Sequence, residues 1–127
     1  MNPVPIDENE YSEYKMKMNE EDFIISIKLS SSKINITATK KNLYFIYQND
    51  FNLEDLKKLS KMLLVYDSIK DIYICIKTIS DQGNGKIFFE NEKMIFSIPI
   101  YLPSGKQEYI KFALNQNKLE KDKIIEN

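Results

Sequence analysis

Histidine, arginine and tryptophan are missing from this 127-residue chain, and all 18 of its basic residues are lysine. Without histidine, no side chain has an ordinary pKa near neutrality, the usual requirement for acid–base work at physiological pH. A single cysteine and no histidine leave no ligand set of the zinc type. Without arginine there are no bidentate forks for phosphate or guanine. Cys75 stands alone in the apolar run Ile72-Tyr73-Ile74-Cys75-Ile76 and reads as a buried spectator thiol. No apolar run approaches the ~18 residues a membrane-spanning helix needs. The opening Met1-Asn2-Pro3-Val4-Pro5 has neither the basic nor the apolar region of a secretory signal. An intracellular protein of cytoplasm or nucleus, with no membrane partner, is expected. The abundance of Ile, Lys, Asn, Tyr and Phe fits an AT-rich coding bias, which accounts for the missing arginine without any functional cause.

The residues present are patterned. The length fits one domain, large enough to bury roughly two-thirds of its unfolded surface. Residues 1–10, with two prolines and Asp7-Glu8-Asn9-Glu10, read as a flexible lead-in. Period-two alternation then marks strands through Tyr14, Met16 and Met18, through Phe23, Ile25, Ile27 and Leu29, and through Ile34, Ile36 and Ala38. A fourth strand, Leu43-Tyr44-Phe45-Ile46-Tyr47, is apolar on both faces and reads as central or covered. Short polar connections make these four an antiparallel meander.

At residue 52 the period changes from two to helical. Asn52 can cap a helix whose first turn holds Glu54 and Asp55, followed by Leu53, Leu56, Leu59 and Leu63 on one face. Asp67 or Ser68 can cap a second helix bearing Ile69, Ile72, Tyr73, Ile76 and Ile79. Two of the three glycines, in Asp81-Gln82-Gly83-Asn84-Gly85, end this region. Strands follow at 87–89, at 94–100 and at 110–114. Pro99 in the second of these calls for an edge or a bulge, because proline donates no ladder hydrogen bond. The expected fold is therefore α+β: an antiparallel β-sandwich or barrel-like sheet of about seven strands, with a helix–turn–helix inserted between strands 4 and 5. The globular domain spans 11–114, and 115–127 form a polar tail with a short helix as one option. Leu56, Leu59, Leu63, Ile72 and Ile76 are expected to pack on Ile25, Ile27, Phe96 and Phe112.

Chemistry-bearing patterns are weak. Gly83-Asn84-Gly85 resembles part of a phosphate loop, but a strand rather than a helix follows it, as in an ordinary turn. Asp7/Glu8 and Glu20/Glu21/Asp22 lack the spacing of a calcium loop and read as solvated acids. Lys40-Lys41 and Lys57-Lys58-Lys61, with tyrosines nearby, could form a basic surface for nucleic acid. The formal net charge of -1 argues for scattered surface lysines instead. No catalytic, cofactor-binding or metal-binding residue is singled out, and no small-molecule substrate, cofactor or enzymatic activity is expected. The apolar faces of 43–47 and 87–89 point to burial against the helices or against a partner.

The element order carries a family resemblance. A meander, the helical insertion from Leu53-Glu54-Asp55-Leu56 to Tyr66 and from Ile69 to Ile79, and closing strands ending Ile110-Lys111-Phe112-Ala113-Leu114 resemble a known head domain. It is the head domain shared by DNA-end-joining scaffold proteins and the centriolar cartwheel protein. The texture is also similar to an uncharacterised N-terminal module of large proteins in AT-rich single-celled eukaryotes. The head-domain resemblance implies dimerisation through the head or a following coiled coil. Two functions follow as expectations. The first is a non-enzymatic protein-interaction or scaffold module in a larger assembly, by a protein partner or self-association. The second is a nucleic-acid-associated accessory protein using lysine clusters and exposed tyrosines. The interacting residues are not legible at this level.

Overall fold

A computed structural model describes residues 10–40 and 45–118. Among the described residues, seven strands form one antiparallel sheet in the order β1-β2-β3-β4-β7-β6-β5. They are β1 (Glu10–Met18), β2 (Glu21–Leu29), β3 (Ile34–Thr39), β4 (Phe45–Phe51), β5 (Lys86–Glu90), β6 (Lys93–Tyr101) and β7 (Gln107–Lys118). Although β1 and β5 are at opposite ends of that order, they come within 8 Å, Cα to Cα. The sheet is therefore curled into a half-barrel. Between β4 and β5 stand helix α1 (Leu53–Lys57), a 3-10 turn (Lys61–Val65) and helix α2 (Ile69–Asp81). The α+β class and the helical insertion are as the sequence predicts.

Alternation places one face of each strand inside the curl. Ile25, Ile27, Ile34, Ile36, Met94, Phe96, Ile98, Ile110, Phe112 and Leu114 are fully buried there with Leu56, Leu63, Ile72, Tyr73 and Ile76 from the insertion. Phe96 stacks on Phe112 at 5.7 Å between centroids, and Phe51 meets Phe112 edge-on at 5.4 Å. Four of the five helical residues expected in the core are buried; Leu59 is only partly so. The cause is a break in the first helix. The Asn52 capping box starts α1 as expected, but Leu59 N–H already bonds three residues back, to Leu56. The Ser60 hydroxyl then accepts the Met62 N–H and opens a new turn, so the leucine stripe is divided between two short pieces. Ser68, one of two candidates, caps α2 through the Asp71 N–H.

Several boundaries differ from the pattern-based ones. β1 begins at Glu10, the last residue of the expected lead-in, and β7 runs through Lys118, four residues beyond the expected domain end at 114. The first part of β7 pairs with β6, while residues 115–118 pair with β4. Where the β4–β7 ladder stops, Asn49 Nδ2 donates to the Ala113 carbonyl at 3.0 Å. β4 itself continues through polar Gln48-Asn49-Asp50, which hides it from hydropathy. Leu43 and Tyr44, the lead-in residues 1–9 and the tail residues 119–127 lie outside the described residues. Pro99 sits in the middle of β6 but beyond the end of β5, so β6 has only β7 beside it at that point. The proline is thus in an edge-like place within an inner strand. Both short hairpins turn on Asn-Glu with two positive φ angles, Asn19-Glu20 at 55° and 67° and Asn91-Glu92 at 54° and 67°. That is the backbone of a two-residue hairpin turn.

Candidate functional site

Amphipathic α2 faces two surroundings. Its Ile72 and Ile76 enter the sheet core, and Ile74 is left 46% exposed on the far side. Leu64 at 56% and Val65 at 72%, in the preceding 3-10 turn, are also exposed. Tyr66, Ile74, Cys75, Thr78 and Ile79 line a shallow hollow of about 410 Å³ on this outer surface, with Asp71 at its rim. Cys75 is half-buried at this surface, which corrects the buried spectator expected of it. Residues 72–76 belong to a one-faced helix, so only three of the five turn fully inward. A contact between the Tyr66 hydroxyl and Cys75 pushes the phenol pKa up.

The second candidate lies where β1 meets the end of α2 and the start of β5. A cleft of about 430 Å³ opens there, lined in part by Lys15, Lys17, Ser80, Asp81, Gly85 and Ile87. Tyr14 on β1 donates to Asp81 at 2.7 Å, and Lys77 donates to the same carboxylate at 2.9 Å. Partial burial, then the Asp81 carboxylate, push the Tyr14 pKa up to about 12. The same hydrogen bond from Tyr14, followed by Lys77, holds Asp81 below its ordinary value. Deeper in, Ser12 and the fully buried Tyr73 share a hydroxyl–hydroxyl bond of 2.5 Å. Ser80 is 3% exposed, and its Oγ has no hydrogen-bond partner among the described residues. Gly85 keeps the strands close: a Cβ there would lie 2.8 Å from Met16 Cε and 3.1 Å from Phe96 Cε1.

Of the charged groups singled out in the sequence, Lys40, Glu21 and Asp22 are taken up in ion pairs. Lys40 pairs with Glu21 at 2.7 Å, Lys17 with Asp22 at 3.2 Å and Lys33 with Asp50 at 3.2 Å. Asp50 is held below its ordinary pKa by Asn35, then Lys33. Thus Glu21 and Asp22 serve ion pairs beside a turn. Gly83-Asn84-Gly85 links α2 to β5, as an ordinary turn would. Lys41, Asp7 and Glu8 lie outside the described residues. Among the described residues, no group of three or more histidines, cysteines, aspartates or glutamates is gathered in metal-binding fashion, and no described helix is long and apolar enough to cross a membrane. Sequence reasoning missed the cleft, because it depends on two strand edges about seventy residues apart being curled together.

A curled antiparallel sheet holding a helical hairpin between its fourth and fifth strands defines the fold class of this domain. No family model matches the chain, and no curated protein matches its sequence. Among solved structures, its fold is similar to the head domain of human CCDC61. The TM-score is 0.66, and the likeness covers 87% of this chain and 99% of that one at 6% identity. The likeness to a head domain holds at the level of fold.

Proposed function

We propose that this chain is a non-enzymatic protein-interaction module, a head that joins a larger assembly through the outer surface of its helical insertion. The observation that carries the reading is the exposure of Leu64 and Val65 in the 3-10 turn and of Ile74 at the hollow of Tyr66 and Cys75. Burying one such side chain in an interface is worth roughly 1.5–3 kcal/mol. Exposed apolar groups concentrated on one inserted element therefore favour association there. The head-domain likeness supports the same reading and makes a second copy the first partner to try.

Light scattering after size exclusion, over a concentration series, tests it. The native chain is expected to rise above the mass of one chain, and a Val65→Ser/Ile74→Ser variant to remain at one. A single-chain mass at every concentration, with no bound protein that the variant loses, contradicts the reading. A nucleic-acid-associated role is the second reading, favoured by Tyr101 and Tyr109, which stand exposed around Pro99 with Lys86 beside them. It requires oligonucleotide binding that weakens linearly with log salt.

A further inference from the structure

An odd strand number decides how this sheet ends. Every neighbouring pair in the order β1-β2-β3-β4-β7-β6-β5 is antiparallel, so β1 and β5 run in the same direction. They approach within 8 Å, yet no ladder joins them. The hairpin turns fix which backbone groups face this seam. A two-residue turn closes on a hydrogen-bonded pair, and bonded and non-bonded pairs then alternate along the strands. Counting from Met18↔Glu21 turns Lys17 and Lys15 toward the seam; counting from Glu90↔Lys93 turns Phe89 and Ile87 toward it. None of these four makes a backbone hydrogen bond across the seam. Lys15, Lys17 and Ile87 line the 430 Å³ cleft together with the orphaned, buried Ser80 hydroxyl. Such a hydroxyl is destabilising while it lacks a partner.

We infer that this cleft is a strand-acceptor site, taking an extended acidic segment of a partner protein antiparallel to both β1 and β5. Such a segment is the eighth strand that a closed, wholly antiparallel barrel requires, and it adds main-chain hydrogen bonds to two edges that no described strand pairs. Its acidic character follows from the rim. Lys15 and Lys86 have no ion-pair partner among the described residues, and Lys17 adds a third cation, paired with Asp22. A strand between two others needs about 9.6 Å, twice the ordinary spacing, so β1 and β5, which approach within 8 Å, must part as the guest enters. The contacts that tie β1 to α2, Tyr14 with Asp81 and Ser12 with Tyr73, are hydrogen bonds that water can replace, and Met16, packed over Gly85, gives way by its flexible end. Lysines on an edge also deter strand pairing between molecules, and a purely protective role predicts no guest at all.

The test uses the full chain and three nine-residue peptides. One alternates glutamate with valine, one alternates lysine with valine, and one carries proline in place of every valine of the first. The glutamate–valine peptide is expected to bind and to slow amide exchange at Lys15, Lys17 and Ile87 by about tenfold or more. The proline peptide, which cannot complete a ladder, is expected to leave those amides unchanged. Reversing two exposed charges, Lys15→Glu with Lys86→Glu, is expected to weaken the acidic peptide roughly tenfold and to admit the lysine peptide. The proposal is overturned by equal binding of all three peptides, by binding that leaves the edge amides unprotected, or by no binding at millimolar peptide. Edge protection that grows with protein concentration alone assigns the seam to a second copy and overturns the acidic partner. The cleft shares no lining residue with the hollow on the outer side of α2, so its failure leaves the proposed function standing.

Discussion

One helix, α2, is held in two different ways, and the contrast explains where this molecule is finished and where it is open. Toward β6 it presents Ile72 and Ile76, fully buried in the aromatic and aliphatic core. Toward β1 it presents hydroxyls and charges: Tyr73 to Ser12, Asp81 (itself held by Lys77) to Tyr14, and Ser80 to no partner among the described residues. Apolar burial is non-directional and resists opening in proportion to the area covered. The polar side fixes position through a few bonds of modest net worth, about 0.5–1.5 kcal/mol each. The apolar side is the foundation, and the polar side is the edge along which the half-barrel stops.

Substitutions on the two sides sharpen this contrast. Ile76→Ala, on the foundation side, is expected to cost about 2–5 kcal/mol in denaturant unfolding, because it leaves a cavity in a fully buried cluster. Leu59→Ala should cost clearly less than Leu63→Ala, since only Leu63 is fully buried. Equal losses would show that the break after α1 is not where the structure places it. Gly85→Ala sits at the seam and is expected to cost about 1–3 kcal/mol through overpacking. Met16 can yield there by moving its flexible end, but the Phe96 ring at 3.1 Å is fixed in the core. Met16→Ala in the same chain should recover only part of the loss.

Tyr73→Phe, measured the same way, is expected to cost about 1–3 kcal/mol, because it strands the buried Ser12 hydroxyl. The cost should largely vanish when Ser12→Ala is added. The smallest effect is the pH dependence of Tyr14. Its folded pKa of about 12 lies above the ordinary 10.0, so the folded state holds the proton more tightly than the unfolded one. The resulting stability is complete below pH 10 and is lost as pH rises toward 12. Tyr47 and Tyr66 are shifted the same way, so the measurement is the difference between the native chain and Tyr14→Phe. A native curve parallel to the variant's across that window would contradict both the burial of Tyr14 and its bond to Asp81.

Period-two alternation around Phe23–Leu29 and Ile34–Ala38 and the capping signals at Asn52 and Ser68 made most of the fold legible in the sequence. These signals are local, and the structure keeps them. Legibility failed where tertiary pairing overrides local pattern. Gln48-Asn49-Asp50 are strand because β3 takes them as neighbours, and Asn115-Gln116-Asn117 because β4 does, not because their side chains favour a sheet. The candidate sites were less legible still. Exposure of Val65 and Ile74 depends on which side of a short insertion the core occupies. The seam depends on curling two edges together, and its backbone groups carry no side-chain signal at all.

Native-state hydrogen exchange of the isolated chain tests the contrast between finished and unfinished sides most directly. Amides of α2 and β6 are expected to exchange only through global unfolding, while those of Lys15, Lys17, Ile87 and Phe89 exchange with little protection. Protection of those four edge amides as strong as that of the core would mean that β1 and β5 already pair, and would contradict the account of an open seam.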